Sequence, residues 1–155
     1  MDAKRLAALR ESFAAFEGTW EGEEVVSPSA QAPAVGARGR HVMRRAVDGT
    51  VLLQEYEQRR PGGAAPLAGH GVFAVDAADG GFVWFFFDSL GFLPTTPARG
   101  GWRGGELVFA RATRRGEAYY RFRADGKRLL HRIESKLAGA ADFSLFLSGT
   151  YARTS

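Results

Sequence analysis

Cysteine is absent from the 155 residues, which excludes disulfides, thiolate nucleophiles and metal sites built on cysteine. Asparagine is also missing, and the lysines are few, at Lys4, Lys127 and Lys136. No apolar run approaches the roughly 18 residues of a membrane-spanning helix, so no membrane span is expected. The opening Met1-Asp2-Ala3-Lys4-Arg5 leads into an amphipathic stretch and not a continuous apolar one. A secretory leader is therefore not expected, and the cytoplasm is the expected location. Blocks of like charge are missing too. The net charge is +4, but 21 basic residues are scattered among 17 acidic ones. With Ala, Gly and Arg dominating, this balance reads as a GC-rich coding bias and a solvated surface, and nucleic acid is not an expected partner.

What remains is ordinary globular composition, 45% hydrophobic and 25% charged, in a chain long enough for one domain with its own core. Leu6, Leu9, Phe13 and Phe16 recur at helical spacing, predicting one amphipathic helix that ends near Gly18. No second helical stretch of ten or more residues follows. Instead come short β-rich runs: 19–26, 36–47, 50–59, 67–76, 82–88, a segment around Trp102, 107–113, 119–124, 127–137 and 143–153. Asp48-Gly49, Asp79-Gly80-Gly81, Gly104-Gly105, Arg115-Gly116 and Asp125-Gly126 stand between runs, where tight hairpins need positive φ. Ser27 to Pro33 reads as a loop. The expected fold is all-β: an antiparallel up-and-down barrel of about ten strands, closed so that no edge is left exposed. The helix should occupy 1–17 and the barrel 18–154 of a single domain.

Alternation along the strands sorts inner from outer side chains. Leu129, His131, Ile133, Ser135 and Leu137 oppose Arg128, Arg132, Glu134 and Lys136, so the first set should face inward. By the same argument Ala37, Gly39, His41 and Met43 face inward, as do Leu52, Gln54 and Tyr56, and Tyr120 and Phe122. The run Phe82 to Phe87, which includes Trp84, shows no alternation. The expected cavity lining is thus His41, Met43, Gln54, Tyr56, Trp84, Tyr120, Phe122, His131 and Ile133. An apolar wall with a few polar points suits a small, largely apolar ligand. A barrel filled by these same side chains is the competing reading.

No chemical motif stands out. His41, His70 and His131 lack metal-ligand spacing, so no metal site is expected, although inward histidines keep haem or metal binding as an alternative. Gly100-Gly101-Trp102-Arg103-Gly104-Gly105 is not a phosphate loop, and no hydrolase pattern occurs. No catalytic residue can be named. Glu24 shares the inward parity of Trp20. A lone inward carboxylate can serve as a proton donor, but pairing with an arginine is the favoured expectation. Ser89 to Gly100 is a long connection carrying Leu90, Phe92 and Leu93 beside Pro94 and Pro97. Those apolar residues should rest on an apolar surface, either as a lid over the barrel mouth or as a homodimer contact.

Several segments carry a resemblance. Phe16-Glu17-Gly18-Thr19-Trp20-Glu21-Gly22-Glu23, Asp48 to Tyr56, Gly69 to Asp76 and the closing Gly149-Thr150-Tyr151-Ala152-Arg153 are similar to the bacterial domain-of-unknown-function family 1579, within the lipocalin-like (calycin) barrels. In calycins a Gly-x-Trp opens the first strand and an arginine of the last strand packs over the Trp ring. Gly18, Trp20 and Arg153 match those places. The resemblance implies a fold but no settled activity, since its relatives include lipid carriers, haem-binding nitrobindins and a few isomerases or cyclases. The nitrobindin haem histidine lies near the C-terminus, where this chain has none. Three functional readings stay open: a carrier of a small apolar molecule with unknown cofactor, a proton-transfer enzyme using a cavity histidine or carboxylate, and an interaction module without a ligand.

Overall fold

The computed structural model describes residues 1–29 and 32–155. Ala30 and Gln31, within the expected loop after the first strand, lie outside the described residues. Helix α1 (Ala3–Glu11) starts where the Asp2 carboxylate accepts from the Arg5 backbone N–H at 2.8 Å, a side-chain N-cap. It passes into a 3₁₀ turn, Ser12–Phe16. The tighter turn aligns residues three apart, so Phe13 and Phe16 point together into the protein and are buried, with Leu6 and Leu9 packed beside them. The expected stripe is real, but its last turn is not α-helical.

Ten antiparallel strands follow: β1 (Gly18–Val26), β2 (Val35–Ala46), β3 (Val51–Arg59), β4 (Leu67–Val75), β5 (Phe82–Asp88), β6 (Ala98–Arg103), β7 (Glu106–Thr113), β8 (Gly116–Ala124), β9 (Arg128–Leu137) and β10 (Ser144–Arg153). Each pairs with its sequence neighbours, and β10 returns to β1, closing the barrel. Among the described residues no helix is long and apolar enough to cross a membrane.

One end is plugged. Phe13 meets Phe82 edge to face at 5.6 Å, and Phe16 stacks on Trp102 at 5.7 Å. The Trp20 indole N–H donates to the Phe16 carbonyl at 2.9 Å, tying the helix to β1. Below lie Leu52, Phe73, Leu107, Phe109 and Leu129, all within 1% of full burial. At about 1.5–3 kcal/mol for each large apolar side chain removed from water, this plug is a main source of stability. The guanidinium carbon of Arg153 sits 4.2 Å from the Trp20 ring centroid. Arg153 also donates to the Gly126 and Glu17 carbonyls, so the last strand is fastened to both the first strand and the helix exit. A side chain at Gly18 would collide with the Arg153 guanidinium.

β5 alternates after all. Phe82, Trp84 and Phe86 face inward, while Phe85 and Phe87 face outward, 36% and 41% exposed. The sequence hid the pattern because the outer positions are aromatic too. β5 pairs with β6 only at Phe82–Gly100, Val83–Arg99 and Trp84–Ala98. Beyond that point the side of β5 that should meet β6 has no strand partner among the described residues. The wall splits there toward the open end, and the connection 89–97 crosses the split. It is shorter than expected, because Ala98 to Gly100 belong to β6.

Candidate functional site

Above the plug the barrel encloses a cavity of about 960 Å³ that opens at the end away from the helix. Seven of the nine expected lining residues border it: His41, Gln54, Tyr56, Trp84, Tyr120, His131 and Ile133. Met43 and Phe122 do not. They sit deeper, 2% and 1% exposed, as part of the packed core. The inward set on β9 also ends early, since Leu137 is 70% exposed at the rim, where the strand has passed the barrel wall. His70 points outward and pairs with Glu55 at 2.6 Å.

The floor of the cavity is a chain of hydrogen bonds with defined direction. The Trp84 indole N–H can only donate, and it donates to Gln54 Oε1 at 3.1 Å. That fixes the amide orientation, so Gln54 Nε2 donates to His41 Nδ1, also at 3.1 Å. His41 therefore carries its proton on Nε2, which is buried and has no hydrogen-bond partner. His131 has the opposite tautomer, because its Nδ1 lies 3.0 Å from the Arg121 backbone carbonyl, which can only accept. Its Nε2 is left as an acceptor. Burial holds the His131 pKa down at about 4, partly offset by the Arg121 carbonyl. Burial, and then the charge His131 would carry, hold His41 well below 6.5. At neutral pH the floor thus holds an unpaired, buried donor on His41 and an acceptor on His131, with no net charge. A side chain at Gly71 would overlap Gln54 Oε1 and the Trp84 nitrogen, so this network needs a glycine in the wall beside it.

Glu24 corrects an expectation. It is buried and inward, but among the described residues no arginine pairs with it. Its oxygens accept from Tyr56 at 2.8 and 2.9 Å, from Gln58 at 2.6 Å and from Tyr151 at 2.6 Å. Three neutral donors replace the missing cation, an arrangement in which a buried carboxylate is satisfied without an ion pair. An arginine stands one step away, where Arg60 Nε donates to the Gln58 side-chain oxygen Oε1 at 2.9 Å. The phenol pKa values of Tyr56 and Tyr151 rise, first through burial and then through the Glu24 charge. Backbone at Gly39 passes so close that an added Cβ would lie 2.1 Å from Glu24 Oε1.

Among the residues of this site missed in the sequence are Phe86, Gln58 and Arg111. Gln58 continues the inward series Gln54, Tyr56. Arg111 continues Leu107 and Phe109 on β7, and it borders the cavity. The alternation signal was present for Gln58 and Arg111. Leu90, Phe92 and Leu93 stand at the cavity mouth, but at 67%, 64% and 76% exposure they are not sheltered by an apolar surface. Phe92 instead receives the Arg115 guanidinium 4.4 Å above its ring, so the connection 89–97 is clasped to the β7–β8 turn across the split wall. No group of three or more potential metal-ligating side chains occurs among the described residues.

A model for a protein family of unknown function (DUF1579) matches residues 7–96. No curated protein matches the sequence. Two solved structures are similar in fold. The crystal structure of Rv2717c from M. tuberculosis superposes with a TM-score of 0.75 at 16% identity, over 97% of this chain and 99% of that one. The S-type phycobiliprotein lyase CPES from Guillardia theta gives 0.70 at 10% identity, over 95% of this chain and 93% of that one. At these identities the likeness establishes the lipocalin-like barrel and nothing about ligands.

Proposed function

The chain belongs to the DUF1579 family, whose name carries no activity, and from its barrel we propose that it binds a small, largely apolar molecule in the cavity. The observation that carries this reading is the cavity of about 960 Å³ itself, bordered by Trp84, Phe86 and Ile133, with a buried His41 Nε2–H left without a partner in its floor. A buried donor without an acceptor costs about 1–3 kcal/mol. The Nε2 atom is shielded from the open cavity, so a ligand oxygen or nitrogen pairs with it, and removes that cost, once the floor side chains shift aside, while Trp84, Phe86 and Ile133 surround the apolar body. The volume is at the upper end of the 300–1,000 Å³ range typical of ligand pockets.

Two rival readings have less support. A filled interior would favour an interaction module, and this interior is hollow. A short contact between a cavity histidine and a carboxylate would favour proton transfer. The His–carboxylate pair at 2.6 Å, His70–Glu55, is on the outer face, and the cavity histidines bond to Gln54 and a backbone carbonyl. Native mass spectrometry of gently purified protein tests the proposal, with N-phenyl-1-naphthylamine as a neutral fluorescent probe. A co-purifying mass of a few hundred daltons, displaced by the probe, is expected. A haem mass with its Soret absorption would replace this ligand class by haem on a cavity histidine. Protein that carries nothing and does not enhance the probe's emission would overturn the carrier reading.

A further inference from the structure

An apolar ligand alone leaves Arg111 unexplained. β7 alternates, with Leu107 and Phe109 fully buried and Arg111 next on the same face, bordering the cavity. Its Nε is buried without a hydrogen-bond partner. The neighbour its charge meets is the Tyr120 hydroxyl, where it works against the rise in phenol pKa that burial causes. None of the ion pairs among the described residues includes Arg111. Arg40, Arg45, Arg99 and Arg121 each have a carboxylate within 3.3 Å, although water could serve them.

The acids near the cavity are otherwise placed. Glu24 is held by Tyr56, Tyr151 and Gln58. Asp88 accepts from the Leu90 backbone N–H at 2.9 Å. Glu117 is exposed at the rim. The histidine floor is neutral. The cavity thus holds a guanidinium whose counter-charge the protein does not supply. The residue is half-buried, and an apolar ligand filling the cavity would take this cation further out of water, which is costly unless an anion joins it. A planar guanidinium fork suits a group presenting two oxygens in one plane.

We propose that the ligand is an amphipathic anion whose carboxylate or similar acid group is taken by Arg111 and the Tyr120 hydroxyl, while its apolar body lies along Trp84 and Phe86. This rests on the carrier reading and adds the charge of the ligand to it. Arg111 lies where β7 has passed its last pairing with β6, Arg99–Ala110, beside the split that faces the connection 89–97. An acid group bound there sits near the mouth, and the apolar end reaches inward.

The test compares two probes with one skeleton, 8-anilino-1-naphthalenesulfonate and N-phenyl-1-naphthylamine, which differ by the sulfonate. Fluorescence titration of the unsubstituted protein is expected to show the anionic probe binding at least tenfold more tightly. Arg111→Gln should remove that preference and leave the neutral probe within twofold. Arg111→Lys should keep only part of it, because the charge remains but the fork is gone. Equal affinity of the two probes for the unsubstituted protein overturns the inference and leaves the carrier reading standing, with no variant needed. The inference also fails if the preference survives in Arg111→Gln, since the charge would then come from the rim, or if both probes weaken alike. Binding of neither probe overturns both readings together.

Discussion

His41 and His131 meet edge to face inside the barrel, their ring centroids 6.1 Å apart, and a proton on His131 would oppose one on His41. In the unfolded chain both should titrate near 6.5. Folded, His131 titrates at about 4 and His41 well below its ordinary value. Between these limits the unfolded state binds protons that the folded state refuses. Stability from the pair is therefore complete above about pH 7 and falls as the pH drops, at up to about 1.4 kcal/mol per pH unit per histidine. His131 alone should cost about 3 kcal/mol between pH 6.5 and 4. Urea midpoints at pH 7.5, 6 and 5 measure this, and His131→Gln should flatten the profile. A level profile in the unsubstituted protein would show that the rings are protonated in place.

The closed end should respond most to Trp20. Trp20→Ala leaves a cavity in a fully packed plug and should cost about 3–5 kcal/mol. Arg153→Met keeps much of the side-chain bulk but loses the contact with the indole and the bonds to Gly126 and Glu17. It should cost about 1–3 kcal/mol. Denaturant unfolding reads both. An Arg153→Met protein as stable as the parent would mean that the strand pairing alone closes the barrel.

Gly39 and Glu24 should be energetically coupled. Gly39→Ala places a methyl group where Glu24 Oε1 now lies, 2.1 Å from the ideal Cβ position, and should destabilise by about 1–3 kcal/mol. In a Glu24→Ala background the nearer obstruction is gone and only the Tyr151 ring remains close to the added Cβ, so the same substitution should cost at least about 1 kcal/mol less. A double-mutant cycle with zero coupling would place the Glu24 carboxylate elsewhere.

The clasp at the mouth should govern exchange more than affinity. Phe92→Ser and Arg115→Ala each remove the contact at 4.4 Å. Stopped-flow binding of the neutral probe should then show association and release both faster, with the equilibrium constant changed by less than threefold. Sedimentation at several concentrations serves as the companion measurement. A dimer that Phe92→Ser converts to monomer, without any change in binding rates, would make this loop an association surface instead.

The strands could be read from the sequence because Asp-Gly and Gly-Gly pairs punctuate them, and β2, β3 and β9 could be turned the right way because charges mark their outer faces. The same rule hid Arg111: a charged residue on β7 reads as outward unless Leu107 and Phe109 are allowed to outvote it. On β5 the outer face is aromatic, so the rule had nothing to work with. The loop after β2 was expected from Asp48-Gly49, yet Val47 also adopts a positive φ of 53°, a strained choice for a β-branched residue. Hollow and filled barrels differ in which wall positions lack a side chain. Gly39 and Gly71 make room for the polar networks, and only their three-dimensional neighbours reveal it.

The three-residue contact between β5 and β6 makes that junction the weakest line in the wall, since β1 and β2 share nine residue pairs. Backbone amides facing the junction should trade hydrogen for deuterium through small openings, long before those of β1 and β2 exchange through global unfolding. Parted along this line, the cylinder becomes a ribbon with two bare edges, and Phe85 and Phe87 stand on the outer face beside one of them. Two molecules opened in this way present matching edges to each other. Prolonged storage at high concentration should therefore yield strand-exchanged dimers joined at this junction, and heating under dilute conditions should return them to monomers.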